Sequence, residues 1–203
     1  MFGDPFTNPK GWKLLKLDYL SDKIVDCPHS TPKWTDKGVI CIRTSNLTEG
    51  DWNWEDTRYV TEGDYIHRTA RSEIESGDII LSREGTVGVA AVVNKGVKLC
   101  MGQRLVQVRP NYNLVESLYL LHVLLLQLVP KRLNRLMRGS TSKHINVKDL
   151  RSLPIPVPPL KDQNKLSQVI EQQKLFKHKL EKISNEKDLF FNSLLQRAFK
   201  GEL

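Results

Sequence analysis

Cysteine is scarce in this sequence: Cys27, Cys41 and Cys100 are the only three in 203 residues. The number is odd and no Cys-x-x-Cys pair occurs, which argues against a disulfide framework and for a reducing, cytoplasmic setting. Cys27 and His29 have no second pair at ligand spacing, so no metal site is expected. Long apolar runs are also missing. The most apolar stretch, 118–129, is too short to span a bilayer and contains His122 and Gln127, so no membrane partner is expected. The opening "MFGDPFTNPKGW" lacks the basic start and apolar run of a signal peptide.

Enzyme motifs are missing as well. "GSTSK" at 139–143 does not have P-loop spacing, so no nucleotide hydrolysis is expected. A base-amino methyltransferase needs a glycine-rich cofactor loop and an Asn/Asp-Pro-Pro-aromatic element. "GDPF" at 3–6 lacks the second proline and the strand before it. A metal nuclease of the common restriction type needs an acid and then an acid-x-Lys. Asp78 followed by Glu84-Gly85-Thr86 lacks the lysine. His67, His122, His144 and His178 are scattered, as surface or structural histidines are.

What is present is positive charge, +8 overall with a pI near 9.4. From Lys131 to Arg151 there are seven basic residues and one acid, Asp149. The stretch from Glu49 to Asp78 is acid-rich instead. A localised basic segment suits a surface that tracks phosphates. Hydrophobic residues make up 39%, enough for a real core.

The first 110 residues read as short strands between turns. "VICIRT" at 39–44 alternates. "GDIILS" at 77–82 and "VGVAAVV" at 87–93 flank "REGT" at hairpin spacing. Gly85 and Gly88 suit that tight turn or a close backbone approach. "RLVQVRP" at 104–110 is a further strand. Residues 114–138 read as a helix divided at Pro130 and ended by Gly139, and "HINVKDL" as a short strand and a helical turn. Pro154, Pro156, Pro158 and Pro159 read as a rigid, extended hinge.

Beyond it, 161–199 has a heptad seam of Leu166, Val169, Phe176, Leu180, Ile183, Phe190 and Leu194, with polar breaks at Gln173 and Lys187. One apolar stripe cannot bury itself, so this helix is expected to pair, either in a complex or folded back on its own body. The expected fold class is α+β. A globular part at 1–159 precedes a single long coiled-coil helix at 160–203.

The turns carry basic, amide and hydroxyl side chains. They hold Ser30, Thr31 and Lys33; Arg43, Ser45 and Asn46; Ser82, Arg83 and Thr86; Gln103 and Arg104; and Ser140, Thr141, Lys143 and His144. Arginine reads guanine and amides read adenine in the major groove, while hydroxyls and lysines hold phosphate. These residues are the candidate DNA contacts, with arginines and amides on base edges and lysines on phosphates. Each turn alone also fits an ordinary hydrophilic loop.

These segments, in order, resemble a specificity subunit of a type I restriction–modification enzyme. "NPKGWKLLKL", "PHSTP", "GVICIRTSNLTEG", "SGDIILSREGTVGVAAVV", "GSTSKHINVKDLRSLPIPVPPLKDQ" and the ending "SLLQRAFKGEL" carry the resemblance across nearly the whole chain. It implies a target-recognition domain at 1–159 and a conserved spacer helix at 160–203. It implies a non-catalytic protein that reads half of a split site on double-stranded DNA and docks modification subunits. S-adenosylmethionine would then sit on those subunits, and ATP and Mg on a restriction subunit, with no cofactor in this chain. Full family members have two recognition domains and two spacer helices, whereas this sequence has one of each. The expectation is a half-subunit that homodimerises through Val169, Phe176, Leu180, Ile183, Phe190 and Leu194. The alternatives are an assembly protein that no longer reads DNA, and the specificity subunit of a methyltransferase-only system.

Overall fold

The computed structural model describes Asp4, residues 7–128 and residues 144–201. The chain divides into two units, Met1–Gln163 and Asn164–Leu203.

The first unit contains three small sheets. In chain order its elements are β1 (Lys13–Lys16), β2 (Ser21–Asp26), β3 (Val39–Ile42), β4 (Tyr59–Val60), α1 (Glu62–Thr69), β5 (Ile79–Ser82), β6 (Ala90–Val92), β7 (Leu99–Met101), β8 (Leu105–Pro110), α2 (Ser117–Gln127), α3 (Val147–Arg151) and β9 (Pro154–Val157). The largest sheet has the order β2-β8-β5-β6. All its pairs are antiparallel, and β2 carries a bulge between Ser21 and Lys23. β8 and β5 lie at its centre and are buried along their whole lengths; β5 opens on an apolar run as buried strands do, whereas β8 buries Gln107 and Arg109 by bonding them to Asp78. The expected hairpin around "REGT" is the β5–β6 pair, with Ile80 opposite Ala91.

The second sheet has the order β4-β3-β7. Its β3–β7 pair is parallel, with Cys41 opposite Cys100. All three cysteines are buried and free. The core between the sheets gathers Ile42, Leu47, Ile80, Ala91, Val93, Leu99, Met101 and Leu105. α1 starts at Thr61, whose side chain accepts from Asp64 N–H at 3.1 Å. α2 is Leu-rich and buried on most of its faces, as a central helix requires. It covers 117–127 of the expected 114–138. Pro130, Gly139 and five of the seven clustered basic residues lie outside the described residues.

The proline-rich segment differs from the expected hinge. It is a strand, β9, paired antiparallel with β1, with Leu15 opposite Ile155. Proline cannot donate to a ladder, so it survives only where its missing N–H faces away from the partner strand. The carbonyls of Pro154 and Pro156 accept from Gln127 Nε2 (2.7 Å) and the Tyr119 hydroxyl (2.7 Å) of α2. The two-residue proline period therefore turns one strand edge toward side-chain donors and leaves the other for β1. The sequence pattern showed an extended segment; it did not show its pairing partner 140 residues earlier, Lys13–Lys16.

After Pro158 and Pro159, α4 runs from Leu160 to Phe199, 40 residues or about 60 Å. Proline suits a helix start, where N–H groups lack partners anyway. Gln163 in the first turn accepts from Glu116 N–H (2.8 Å) and donates to the carbonyls of Pro158 (2.8 Å) and Leu114 (3.1 Å).

In the second unit, Val169, Phe176, Leu180, Ile183 and Phe190 of the seam are exposed, and Leu194 is half-buried. A second row, Phe191, Leu195 and Phe199, is exposed at four-residue spacing beside it. The apolar surface is thus wider than a strict heptad stripe. No helix among the described residues is long and apolar enough to cross a membrane.

Candidate nucleic-acid interface

Five segments far apart in sequence converge near the ends of β2, β3, β5 and β7 and the start of β8. Cys27 N–H donates to the Leu105 carbonyl at 3.1 Å, joining the end of β2 to β8. Gln103 Nε2 donates to the His29 carbonyl at 2.6 Å. Arg68 of α1 donates to the carbonyls of Met101 (3.1 Å) and Ser30 (2.8 Å), fixing the 28–33 loop over the end of β7. Arg83 N–H donates to the Arg104 carbonyl (3.0 Å), and Ile145 N–H to the Arg83 carbonyl (2.8 Å). His144 forms an isolated bridge with Glu84.

Gly102 closes the gap to β3. Its N–H donates to the Ile42 carbonyl at 2.8 Å, and a Cβ there would stand 2.8 Å from the same oxygen. Only glycine allows that approach. A similar constraint acts at Gly88, with φ +89° and a Cβ position 2.7 Å from the Leu128 carbonyl.

The nominated residues divide by where they point. Ser30, Thr31, Lys33, Ser45, Thr86 and Arg104 are exposed on this set of loops, and Gln103 and His144 are half-buried. Ser140, Thr141 and Lys143 lie outside the described residues. Four others are engaged within the fold. Ser82 is buried, its hydroxyl donating to the Glu84 carbonyl at 3.1 Å. Asn46 is buried; its Oδ1 accepts from Arg43 N–H at 2.9 Å and its Nδ2 donates to Asn53 O at 3.0 Å.

Arg83, expected to project from its turn, is only 8% exposed. Its guanidinium forks onto Asp26, Nε to Oδ1 at 2.9 Å and Nη2 to Oδ2 at 3.1 Å. A planar five-donor head suits this two-point grip. Arg43 is the fourth: its Nη2 donates to the Asp56 carbonyl (2.7 Å) and to Asp56 Oδ2 (2.6 Å). That hydrogen bond holds the Asp56 carboxyl below the usual carboxylate range.

Arg104 is the arginine left pointing outward. Its side chain is 61% exposed, with a 3.9 Å ion pair to Glu84. Its backbone is left-handed, φ +66°, a conformation that costs an ordinary residue about 1–2 kcal/mol. Such strain persists where the surroundings over-determine the backbone. Here the bonds to Arg83 N–H and the neighbouring Gln103–His29 contact do so.

A family model described as the type I restriction modification DNA specificity domain matches residues 9–187. This chain belongs to that family. It is 24% identical over 172 residues to the type I restriction enzyme EcoBI specificity subunit of Escherichia coli, covering 82% of this chain and 36% of that one. It is 22% identical over 165 residues to the MjaVIII specificity subunit of Methanocaldococcus jannaschii, covering 79% and 39%. Two solved chains share the fold. One, from a study of complex assembly and conformational transition of the type I R-M system, has a TM-score of 0.61 at 23% identity, over 96% of this chain and 47% of that one. The other, the HsdS subunit from Thermoanaerobacter tengcongensis, has a TM-score of 0.58 at 21% identity, over 96% and 46%. The chain spans less than two-fifths of those two curated relatives and about half of those two solved chains.

Within this specificity domain, one group escaped the sequence reading. Trp34 is 37% exposed, and the guanidinium carbons of Arg43 and Arg58 lie 5.8 and 5.5 Å from its ring centroid. Trp52 and Trp54 stack nearby in sequence, with centroids 4.9 Å apart. The clue was "WNWEDTR" at 52–58, two tryptophans and an arginine inside the acid-rich stretch. A segment count of charge hides such a local pairing. Among the described residues, no group of three or more His, Cys, Asp or Glu converges as a metal site would.

Proposed function

We propose that this chain is a DNA-recognition subunit of a type I restriction–modification complex and reads one half of a split target on double-stranded DNA. The observation that carries the reading is the convergence of the 28–33, 43–46, 82–86, 102–104 and 144 segments into one set of loops within a DNA specificity domain. Loops held by a rigid sheet end are where binding residues concentrate. In this reading Arg104 reads a base edge, with Gln103 beside it. Ser30, Thr31, Lys33, Ser45 and Thr86 contact phosphate, and His144 lies at their border. Arg83 and Asn46 act as positioning residues that fix the loops from behind. Ser140, Thr141 and Lys143 continue the basic segment.

The chain itself is not catalytic. Modification subunits dock on it and carry S-adenosylmethionine for adenine methylation. A restriction subunit carries ATP and Mg. The complex acts in the cytoplasm. Two copies of the chain pair antiparallel through α4, a helix about 60 Å long.

Selection of bound duplexes from a random library tests the reading: one short motif should be enriched, and no enrichment would contradict it. On that motif, Arg104→Ala is expected to relax one base position, with a loss of about 1–3 kcal/mol on the cognate duplex and little on its mismatched form. Binding titrations on both duplexes measure this. Equal loss on both would move Arg104 from reading to positioning.

A further inference from the structure

Arg43 and Arg58 form a cationic pair beside the recognition loops. Both guanidinium groups lie over Trp34, an arrangement in which the ring face attracts positive charge. They share one counter-charge. Asp56 Oδ2 accepts from Arg43 Nη2 at 2.6 Å, and Asp56 Oδ1 is 3.6 Å from Arg58 Nε. Among the described residues, two cations therefore face a single carboxylate, and exposed Lys33 lies next to Trp34 in the chain. Arg43 Nε is buried without an acceptor among the described residues, so the carboxylate and carbonyl of Asp56 do not satisfy every donor of this guanidinium.

Arg43 follows β3, and its side chain approaches Gly102, where a Cβ would stand 3.7 Å from Arg43 Cγ. Gly102 opens the turn that carries Gln103 and Arg104. The Trp34–Arg43–Arg58 group is thus continuous with the proposed reading loops. Asp56 is 64% exposed, so its carboxylate stands where an incoming anion would arrive.

We propose that Trp34, Arg43 and Arg58 form a seat for one phosphate of the DNA backbone, and that the Asp56 carboxylate fills this seat in the free chain. The inference rests on the DNA-recognition reading and deepens it. A phosphate oxygen and a carboxylate oxygen offer the same acceptor to a guanidinium fork. Binding exchanges one for the other, so Asp56 lowers affinity for every sequence alike. It thereby leaves discrimination to the base-reading loops. The loop does not depend on the Asp56 side chain for its shape. The Asp56 main-chain carbonyl accepts from Arg43 Nη2 (2.7 Å) and from Asn46 Nδ2 (3.2 Å), and both bonds remain when the carboxylate is neutralised.

The test is binding of the full chain to a random-sequence duplex between about 50 and 200 mM salt, a range over which one phosphate contact is worth about threefold in affinity. Asp56→Asn should bind more tightly, with a log–log salt slope steeper by about one. Arg58→Ala, at an exposed position, should bind more weakly, with a slope shallower by about one. Trp34→Phe should keep most of the affinity, and Trp34→Ala should behave as Arg58→Ala. If the parent binds and both Asp56→Asn and Arg58→Ala leave affinity and slope unchanged, the seat is disproved and the recognition reading stands. If the parent shows no salt-dependent binding, the recognition reading fails and the seat fails with it.

Discussion

Replacing Asp78 with alanine is expected to destabilise the first unit by about 3–5 kcal/mol, the usual loss when one partner of a buried ion pair is removed. Asp78 is fully buried. Its carboxylate accepts from Arg109 Nε (2.8 Å) and Nη2 (2.9 Å), from Gln107 Nε2 (2.6 Å) and from Glu75 N–H (2.7 Å). Arg109 lies on β8, in the middle of the main sheet, and is 9% exposed. Alanine would leave that guanidinium without its main partner in a place where water cannot replace it. Exposed Glu75, 2.7 Å from Nη1, keeps only part of the compensation. Urea unfolding followed by circular dichroism measures the effect, and the midpoint should fall by about 1–2 M at a slope of about 2–3 kcal/mol/M. A loss below about 1 kcal/mol would mean that Glu75 or water replaces Asp78. Both carboxylate oxygens of Asp78 are engaged inside the fold.

Leu180→Asp combined with Ile183→Asp is expected to convert the native chain from dimer to monomer. Both residues are exposed on α4, in line with Phe176 and Phe190 and beside the row of Phe191, Leu195 and Phe199. Burying each such side chain contributes roughly 1.5–3 kcal/mol, so six to eight per helix exceed what association of two chains costs. Two carboxylates in the centre of the seam would be desolvated and face their own copies across the two-fold axis. Light scattering at micromolar concentration measures both proteins. A monomeric parent would remove the homodimer. A double variant that stays dimeric would place the interface elsewhere. Co-purification with the modification subunit should be lost when 160–203 is deleted and kept when Arg104 is changed.

The sequence showed local structure well and partnerships poorly. β3, β5, β6, β8 and α4 follow from alternation, turn spacing and heptads, because those patterns are set by neighbours in the chain. Pairing of β9 with β1 depends on residues 140 positions apart, and no periodicity encodes it. The candidate interface was legible to a similar degree. Polar turns marked the loops, and the loops do converge. Which side chains project was not legible: Arg83 and Asn46 read as surface groups until Asp26, Asn53 and the Arg43 backbone supplied their partners. The left-handed backbone of Arg104 gave no warning either, since such positions usually hold glycine. Trp34 and Arg58 are 24 residues apart, and only the fold places them face to face.

The most direct measurement of DNA recognition is methylome sequencing of a host that carries this chain with its modification subunit. Adenine methylation is expected at one new two-part motif separated by a fixed spacer. Because a two-fold dimer presents the same loops twice, the two half-sites should be inverted copies of one sequence. Arg104→Ala should broaden one base position in both halves at once. A folded chain that co-purifies with the modification subunit, yet yields no new methylated motif, would contradict the account.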